Sequence, residues 1–282
     1  MTRIRREILP QPFVYKRMEE IEQHNPAKQE KPHRHDYYTL IFVKAAKGVH
    51  HIDFKDYPLT AHTFYLLSPE QVHHMEVEGI PSGEVFLFTP DFLQYYSMPL
   101  EQLVQLDLFY NCAEAPPIQI PEAKLAEVKT VLQIIAQEDQ HKEWNYLQVI
   151  GAQVKHLFYL LKRIKAKTQS QQSFVPSRKA MIVQQFKRDL ERSFRTNHKV
   201  SEYAGLQSLS SIYLNEVIKA ETGSTAKEMI QQRILLEAKR LAKYTDWSMK
   251  EVAYSLGFED NAHFSKLFKK LEGSNFSSFR NA

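Results

Sequence analysis

A chain of 282 residues, 43% of them hydrophobic, is long for one domain and sufficient for two packed cores. Its formal charge of +4 conceals an asymmetry: from Phe174 onward 18 Lys+Arg face 12 Asp+Glu, a net +6, and the remainder carries −2. The single cysteine, Cys112, excludes an internal disulfide and suits a reducing cytoplasm; the basic N-terminus lacks the apolar core of a secretory signal, and no apolar run approaches the ~18 residues of a membrane span.

Residues 8–117 carry short apolar runs separated by turn signals. Strands are expected at 37–43, 49–54, 63–67, 73–77 and 84–88, with Lys47-Gly48 and Lys55-Asp56 as turns. Closely spaced short strands argue a barrel or sandwich. The segment PHRHD and the later AHTFYLLSPEQVHHMEV resemble the paired histidine motifs of the cupin barrel. A metal-binding cupin would use His33, His35, a glutamate a few residues on and a final histidine near His73. Here Thr39 stands at the glutamate position, and His62 where the second motif usually has glycine. Without that carboxylate no metal and no cofactor is expected, and the histidines are read as barrel residues that pack or hydrogen-bond at the mouth. His33, His35, Tyr37 and His73 are instead candidates for a small-molecule site. The paired aromatics Tyr37-Tyr38, Phe64-Tyr65 and Phe86 with Phe88 are expected as its walls. His50, His51 and His74 are assigned to strand faces without function.

Residues 118–165 read as helical. Leu125, Val128, Val131, Leu132 and Ile135 make one apolar stripe. Leu147, Ile150, Val154, Leu157, Phe158, Leu161 and Ile164 keep a near-heptad seam. Such a seam is either intrachain core or a two-fold contact, and the second reading predicts a homodimer through it. Residues 166–177 are polar and without periodicity, an interdomain linker.

Residues 178–282 hold an internal repeat. Val252, Ala253 and Leu256 give one helix a buried face, Gly257 supplies a sharp turn, and Phe264, Leu267, Phe268 and Leu271 give a second helix its own. The second helix's outer face is polar and basic, the form of a helix-turn-helix that enters a major groove. Ala204, Ser208, Leu214 and Ile218 repeat this pattern about 49 residues earlier, with a connecting helix between, so one chain is expected to carry two DNA readers.

The two units, LLEAKRL in the connector and EVAYSLGFEDNAHFSKLFKK in the second unit, resemble the AraC/XylS family of bacterial transcription regulators. The resemblance implies an α+β multidomain protein: a cupin-like sensing and dimerising N-terminal barrel with a helical hairpin, and an all-α DNA-binding domain of two helix-turn-helix units. It implies base contacts from Ser211, Ile212, Asn215 and Glu216 in the first unit and from Asn261, Ala262, His263 and Lys266 in the second. Lys219, Lys269 and Lys270 are expected on phosphates. The implied partners are double-stranded DNA, a second copy of the chain, RNA polymerase and a small-molecule effector. Phe276 stands where the family has proline, which leaves the start of the last helix open. The alternatives are a cupin-type metal enzyme with an accessory DNA-binding tail, and a regulator whose barrel is only a dimerisation scaffold.

Overall fold

A computed structural model describes residues 6–7, 9–23, 31–69, 71–109, 117–168 and 178–281. Cys112 and most of the expected linker lie outside them. The chain forms two compact units divided after residue 172.

The first unit begins with β1 (Arg6–Glu7), β2 (Phe13–Arg17), α1 (Met18–Gln23), β3 (Arg34–His35) and β4 (Tyr38–Ile52). It continues with β5 (Lys55–Pro58), β6 (Thr63–Leu67) and β7 (His73–Phe88). The main sheet runs β2-β7-β4-β6, with β8 (Ile118–Gln119) beyond β6 and β5 paired to β4; β1 pairs separately with β3. Four of the expected strands merge into two. The segments 37–43 and 49–54 are one strand, β4, and 73–77 and 84–88 are one strand, β7. Gly48 is not a turn: it continues the ladder opposite Val77, and a Cβ there would lie 2.0 Å from the Glu76 carbonyl oxygen. The bend falls instead at a bulge, where Ala45 pairs with Ser82 and Lys47 with Glu78, so that Pro81 sits outside the regular ladder.

Strand alternation sorts the apolar side chains onto two faces. Leu40, Phe42, Phe64, Leu66, Phe86 and Phe88 pack against helices α4 (Glu122–His141) and α5 (Tyr146–Thr168). Ile41, Val43, Tyr65, Leu67 and Val85 form a second cluster with Ile52 and Leu59 on the other face. The expected aromatic walls are therefore divided: Phe64, Phe86 and Phe88 serve the helix contact and Tyr65 the interior. A further stretch, α2 (Pro90–Phe92), a π-helical turn (Leu93–Ser97) and α3 (Leu100–Leu106), joins sheet to helices.

The heptad seam is intrachain core. Ile150, Val154, Leu157, Phe158, Leu161 and Ile164 are buried in the single chain against α4 and the phenylalanines of the sheet, with Phe158 and Phe88 ring centroids 5.9 Å apart. The sequence pattern could not separate these cases, because a helix buried on one side presents the same spacing to a neighbour of either origin. Dimerisation through these residues is excluded: their surface is already used.

The second unit is helical: α6 (Arg178–Ser193), α7 (Val200–Leu206), α8 (Ser211–Thr222), α9 (Ala226–Tyr244), α10 (Met249–Ser255), α11 (Asn261–Glu272) and α12 (Phe276–Asn281). The pairs α7–α8 and α10–α11 are the two hairpins, and α9 touches all four of their helices and α12. Phe276 opens α12 and is buried against Phe264 and Phe268, so an aromatic plug does the anchoring there.

Inside α9 the stripe is not purely apolar. Glu237 is fully buried; its carboxylate accepts from Arg195 Nη2 at 2.8 Å, Arg233 Nη1 at 3.2 Å and Arg240 Nη1 at 3.3 Å. Burial alone would raise its pKa, but Arg233, Arg240 and Arg195 outweigh it and bring the value down to about 2. The depressed value contributes stability in full above the unfolded pKa near 4.5 and loses it as pH falls towards 2. Arg233 also takes both Glu191 oxygens, at 3.0 and 2.9 Å, and covers the Phe194 ring at 3.7 Å.

Glu237→Gln leaves buried guanidinium charge uncompensated and is expected to destabilise this unit by about 3–5 kcal/mol. Native-state hydrogen exchange of the α9 amides would measure it, and unchanged protection would refute the role of the cluster. Ser208→Gly acts in the opposite sense. Ser208 sits at φ 54°, a conformation costing a non-glycine residue ~1–2 kcal/mol. Part of that gain is returned by the more flexible unfolded chain, so a net stabilisation of about 0.5–1 kcal/mol is expected in urea melts.

Candidate nucleic-acid interface and buried histidine site

Both hairpins are built from local signals. In the second, Ser248 caps α10: its hydroxyl accepts from the Glu251 N–H at 3.3 Å, and the Glu251 carboxylate accepts from the Ser248 N–H at 2.7 Å. Gly257 follows at φ 78°, and a Cβ there would lie 2.1 Å from the Arg195 carbonyl oxygen, so the position requires glycine twice over. Phe258 is buried against His198 and Phe264. Asp260 caps α11, accepting from the Ala262 N–H at 2.8 Å. The first hairpin turns at Ser208 and caps α8 with Ser210, whose hydroxyl accepts from the Tyr213 N–H at 3.1 Å.

Among the residues expected to face DNA, Ile212 (74% exposed), Glu216 and Lys219 stand out from α8, with Ser211 half-buried at its start. On α11, Ala262, His263, Lys266, Lys269 and Lys270 are exposed and Asn261 is half-buried. The His263 ring leans on Phe258 at 5.5 Å. Asn215 departs from expectation. It is half-buried, and its side-chain oxygen accepts from the Ala226 N–H at 3.1 Å, which ties α8 to the start of α9. That bond uses one of the two lone pairs of the amide oxygen and fixes the side chain toward α9.

The barrel histidines converge, with a member that the sequence pattern did not single out. The His33 and His73 backbones pair at 3.0 and 2.9 Å, which brings the two motifs together. His73 Nε2 lies 2.7 Å from His35 Nε2, and His73 Nδ1 lies 3.0 Å from His50 Nε2. His35 stacks on Tyr37 at 4.4 Å, and His50 faces Tyr65 at 5.4 Å. The signal for His50 was its parity with Ile52, readable only once the bulge in β4 is placed.

His33, His35 and His73 bring their ring nitrogens within 4.8 Å of one another. Metal–nitrogen bonds of ~2.0–2.1 Å at tetrahedral angles separate ligand nitrogens by about 3.3 Å. The 2.7 Å between His35 and His73 is hydrogen-bond spacing, and Thr39 supplies no carboxylate, so this donor set does not fit a resident metal. It fits a relay. In either polarity of the chain His35–His73–His50, one end nitrogen is a donor and the other an acceptor. Among the described residues those ends, His35 Nδ1 and His50 Nδ1, are buried without a hydrogen-bond partner, as is the Thr39 hydroxyl.

Burial holds the cluster neutral. It lowers His35 and His50 to about 3, helped by neighbouring histidines, and His73 well below its ordinary value.

Residues 17–175 match the family model of the AraC-like ligand binding domain, and residues 203–282 that of a helix-turn-helix domain. The chain belongs to the AraC family. It is an AraC-type DNA-binding transcriptional regulator with an N-terminal ligand-binding domain, and double-stranded DNA is its partner. This AraC-type chain is 24% identical over 245 residues to the HTH-type transcriptional activator RhaS of Escherichia coli strain SMS-3-5, covering 84% of this chain and 83% of that one. Among solved structures it is similar to the C-terminal domain of the response regulator yesN from Fusobacterium nucleatum, at 27% identity over 34% of this chain and 93% of that one, TM-score 0.33. It also aligns with apo ToxT from Vibrio cholerae at 14% identity, over 97% and 98% of the two chains, TM-score 0.41. No helix among the described residues of this AraC-type regulator is long and apolar enough to cross a membrane.

A base whose folded pKa is depressed stabilises the fold in full above its unfolded pKa, near 6.5, and loses that contribution as pH falls towards the folded value. Thermal stability is therefore expected to fall on acidification from about pH 7 to 5, by up to about 1.4 kcal/mol per pH unit for each neutral histidine. His50→Gln should flatten that slope in melts of the full chain. An equally steep slope would show that His50 is charged or solvated.

Proposed function

We propose that this AraC-type regulator reads its operator with α8 and α11 in neighbouring major grooves and adjusts its affinity in response to a small uncharged polar molecule held at the His35–His73–His50 relay. The observation that carries the DNA reading is the pair of exposed second helices joined to one connecting helix, in the part of the chain with net charge +6. At ~1.5 Å per residue the 19 residues of α9 span about 28 Å, close to the ~34 Å of a duplex turn.

In this reading Ser211, Ile212 and Glu216 meet bases from the first helix, Ile212 on a thymine methyl and Glu216 on cytosine N4. Asn261, Ala262, His263 and Lys266 do so from the second, Asn261 suiting adenine and Lys266 guanine. Lys219, Lys269 and Lys270 bind phosphates. Asn215 is reassigned to positioning, through its bond to Ala226. For the effector, the support is the trio of unpartnered atoms, His35 Nδ1, His50 Nδ1 and Thr39 Oγ1, which together call for groups that both donate and accept, such as hydroxyls. Residues 8–117 would sense and 178–282 would bind DNA. A homodimer, contact with RNA polymerase and a place in the cytoplasm belong to the same proposal and rest on family membership. A dimer contact would have to use surface other than the α5 seam.

Footprinting of the full chain across a salt series tests the DNA half. Lys269→Ala should weaken binding to all sequences alike and reduce the salt slope by up to about one unit. Lys266→Ala should relax preference at one base position, at about 1–3 kcal/mol on the best site. A uniform loss for Lys266→Ala, or an unchanged slope for Lys269→Ala, would remove the corresponding contact from the reading.

A further inference from the structure

The outer face of the same strands holds a second histidine cluster, separate from the relay and from the DNA-facing helices. Side chains alternate along β7, so His73, Met75 and Val77 face the interior, whereas His74 and Glu76 face outward. His51 on β4 is the direct cross-strand partner of His74, and Asp56 on β5 is the cross-strand partner of His51. The three strands thus set Asp56, His51 and His74 in one row, with Glu76 one step along the same face.

The contacts are specific. His51 Nδ1 donates to Asp56 Oδ1 at 2.7 Å, which orients the ring and turns Nε2 toward β7. That Nε2 is buried without a hydrogen-bond partner. It faces Glu76 Oε1 at 3.8 Å, and His74 Nε2 faces the same oxygen at 3.9 Å. The His51 and His74 rings are parallel at 4.3 Å, an arrangement that two imidazolium ions would oppose. Burial, with His51 beside it, also lowers the pKa of His74. Two imidazole edges thus converge on one carboxylate oxygen at distances longer than a hydrogen bond.

We propose that His51, His74 and Glu76 form a surface site for a divalent transition-metal ion of the zinc class, with Asp56 orienting His51 from behind. Two imidazoles and a carboxylate are a donor set that zinc accepts, with the fourth position open to water or to a ligand from another molecule. The donor atoms lie within 4.8 Å of one another and close on an ion by rotation of side chains that are half-buried or exposed. A bound ion would staple β5, β4 and β7 together at the end opposite the β4–β6 pairing.

The test is calorimetric titration of zinc into the full chain, freed of any affinity tag and stripped with chelator. One equivalent should bind to the wild type and to His33→Gln, which removes a donor from the interior cluster. Binding should be lost in His74→Gln and in Glu76→Gln, the second of which alters only an exposed side chain. Asp56→Asn should weaken it by at least ~10-fold. Absence of saturable binding, or binding that is lost in His33→Gln and unaffected by Glu76→Gln, would overturn the proposal.

Discussion

The DNA-binding unit depends on one buried carboxylate. Glu237 sits inside the connecting helix with no exposure, and the three arginines around it come from two places: Arg233 and Arg240 from α9 itself, Arg195 from the segment after α6. Arg233 reaches on to Glu191 of α6 and lies over Phe194, so the cluster clamps α6 and its following segment to α9. That segment then meets the second hairpin. The Arg195 carbonyl closes against Gly257, and His198 Nε2 lies 2.8 Å from the Leu256 carbonyl oxygen. One short stretch therefore joins the frame of the first hairpin to the turn of the second. Tandem readers gain from effective concentration only when their spacing is held, and this network is what holds it.

The two units bury polarity in opposite ways. In the helical unit a charge is kept and matched by three guanidinium groups, which is costly in desolvation and intolerant of losing any one partner. In the sheet domain the charge is given up: His35, His50 and His73 are neutral, and their polarity is passed from ring to ring. A neutral relay has a property the ion cluster lacks. Either polarity makes both ring-to-ring hydrogen bonds, so a partner that donates at one end and accepts at the other selects one of them.

Periodicity and turn chemistry made the helical unit legible in the sequence, down to Gly257 and the exposed faces of α8 and α11. It was silent on Arg233, Glu237 and Arg240, because charged residues at i, i+4 and i+7 read as a solvated edge until a neighbouring helix covers them. Asn215 shows a related limit: its spacing on α8 suits a base contact, and only the fold shows the Ala226 N–H within its reach. In the sheet domain the histidines were visible, but their grouping was not. Gly48 and Pro81 look like turns, and only the paired register shows one bent hairpin that puts His50 inside and His51 outside. A seam such as Leu157 and Leu161 lies beyond what periodicity resolves, since core and interface share the same surface chemistry.

The burial of that seam constrains how an effector could act. A ligand shifts an equilibrium only by its differential affinity for two states, so a signal leaving the relay needs an element with two arrangements. The α4–α5 layer is a poor candidate, because its apolar face is locked into the phenylalanine layer of the sheet and cannot be released without opening that core. The relay is attached differently. Among the described residues His33 pairs with His73 through an isolated bridge, and β3 beyond it pairs with the two residues of β1. This flap lies outside the main sheet, and segments outside a central ladder open at lower cost than its inner strands. In the proposed reading, a ligand bridging His35 Nδ1 on the flap to His50 Nδ1 on β4 would tie this flap to a central strand of the domain. On that proposal the responsive element would be the N-terminal flap rather than the helical layer.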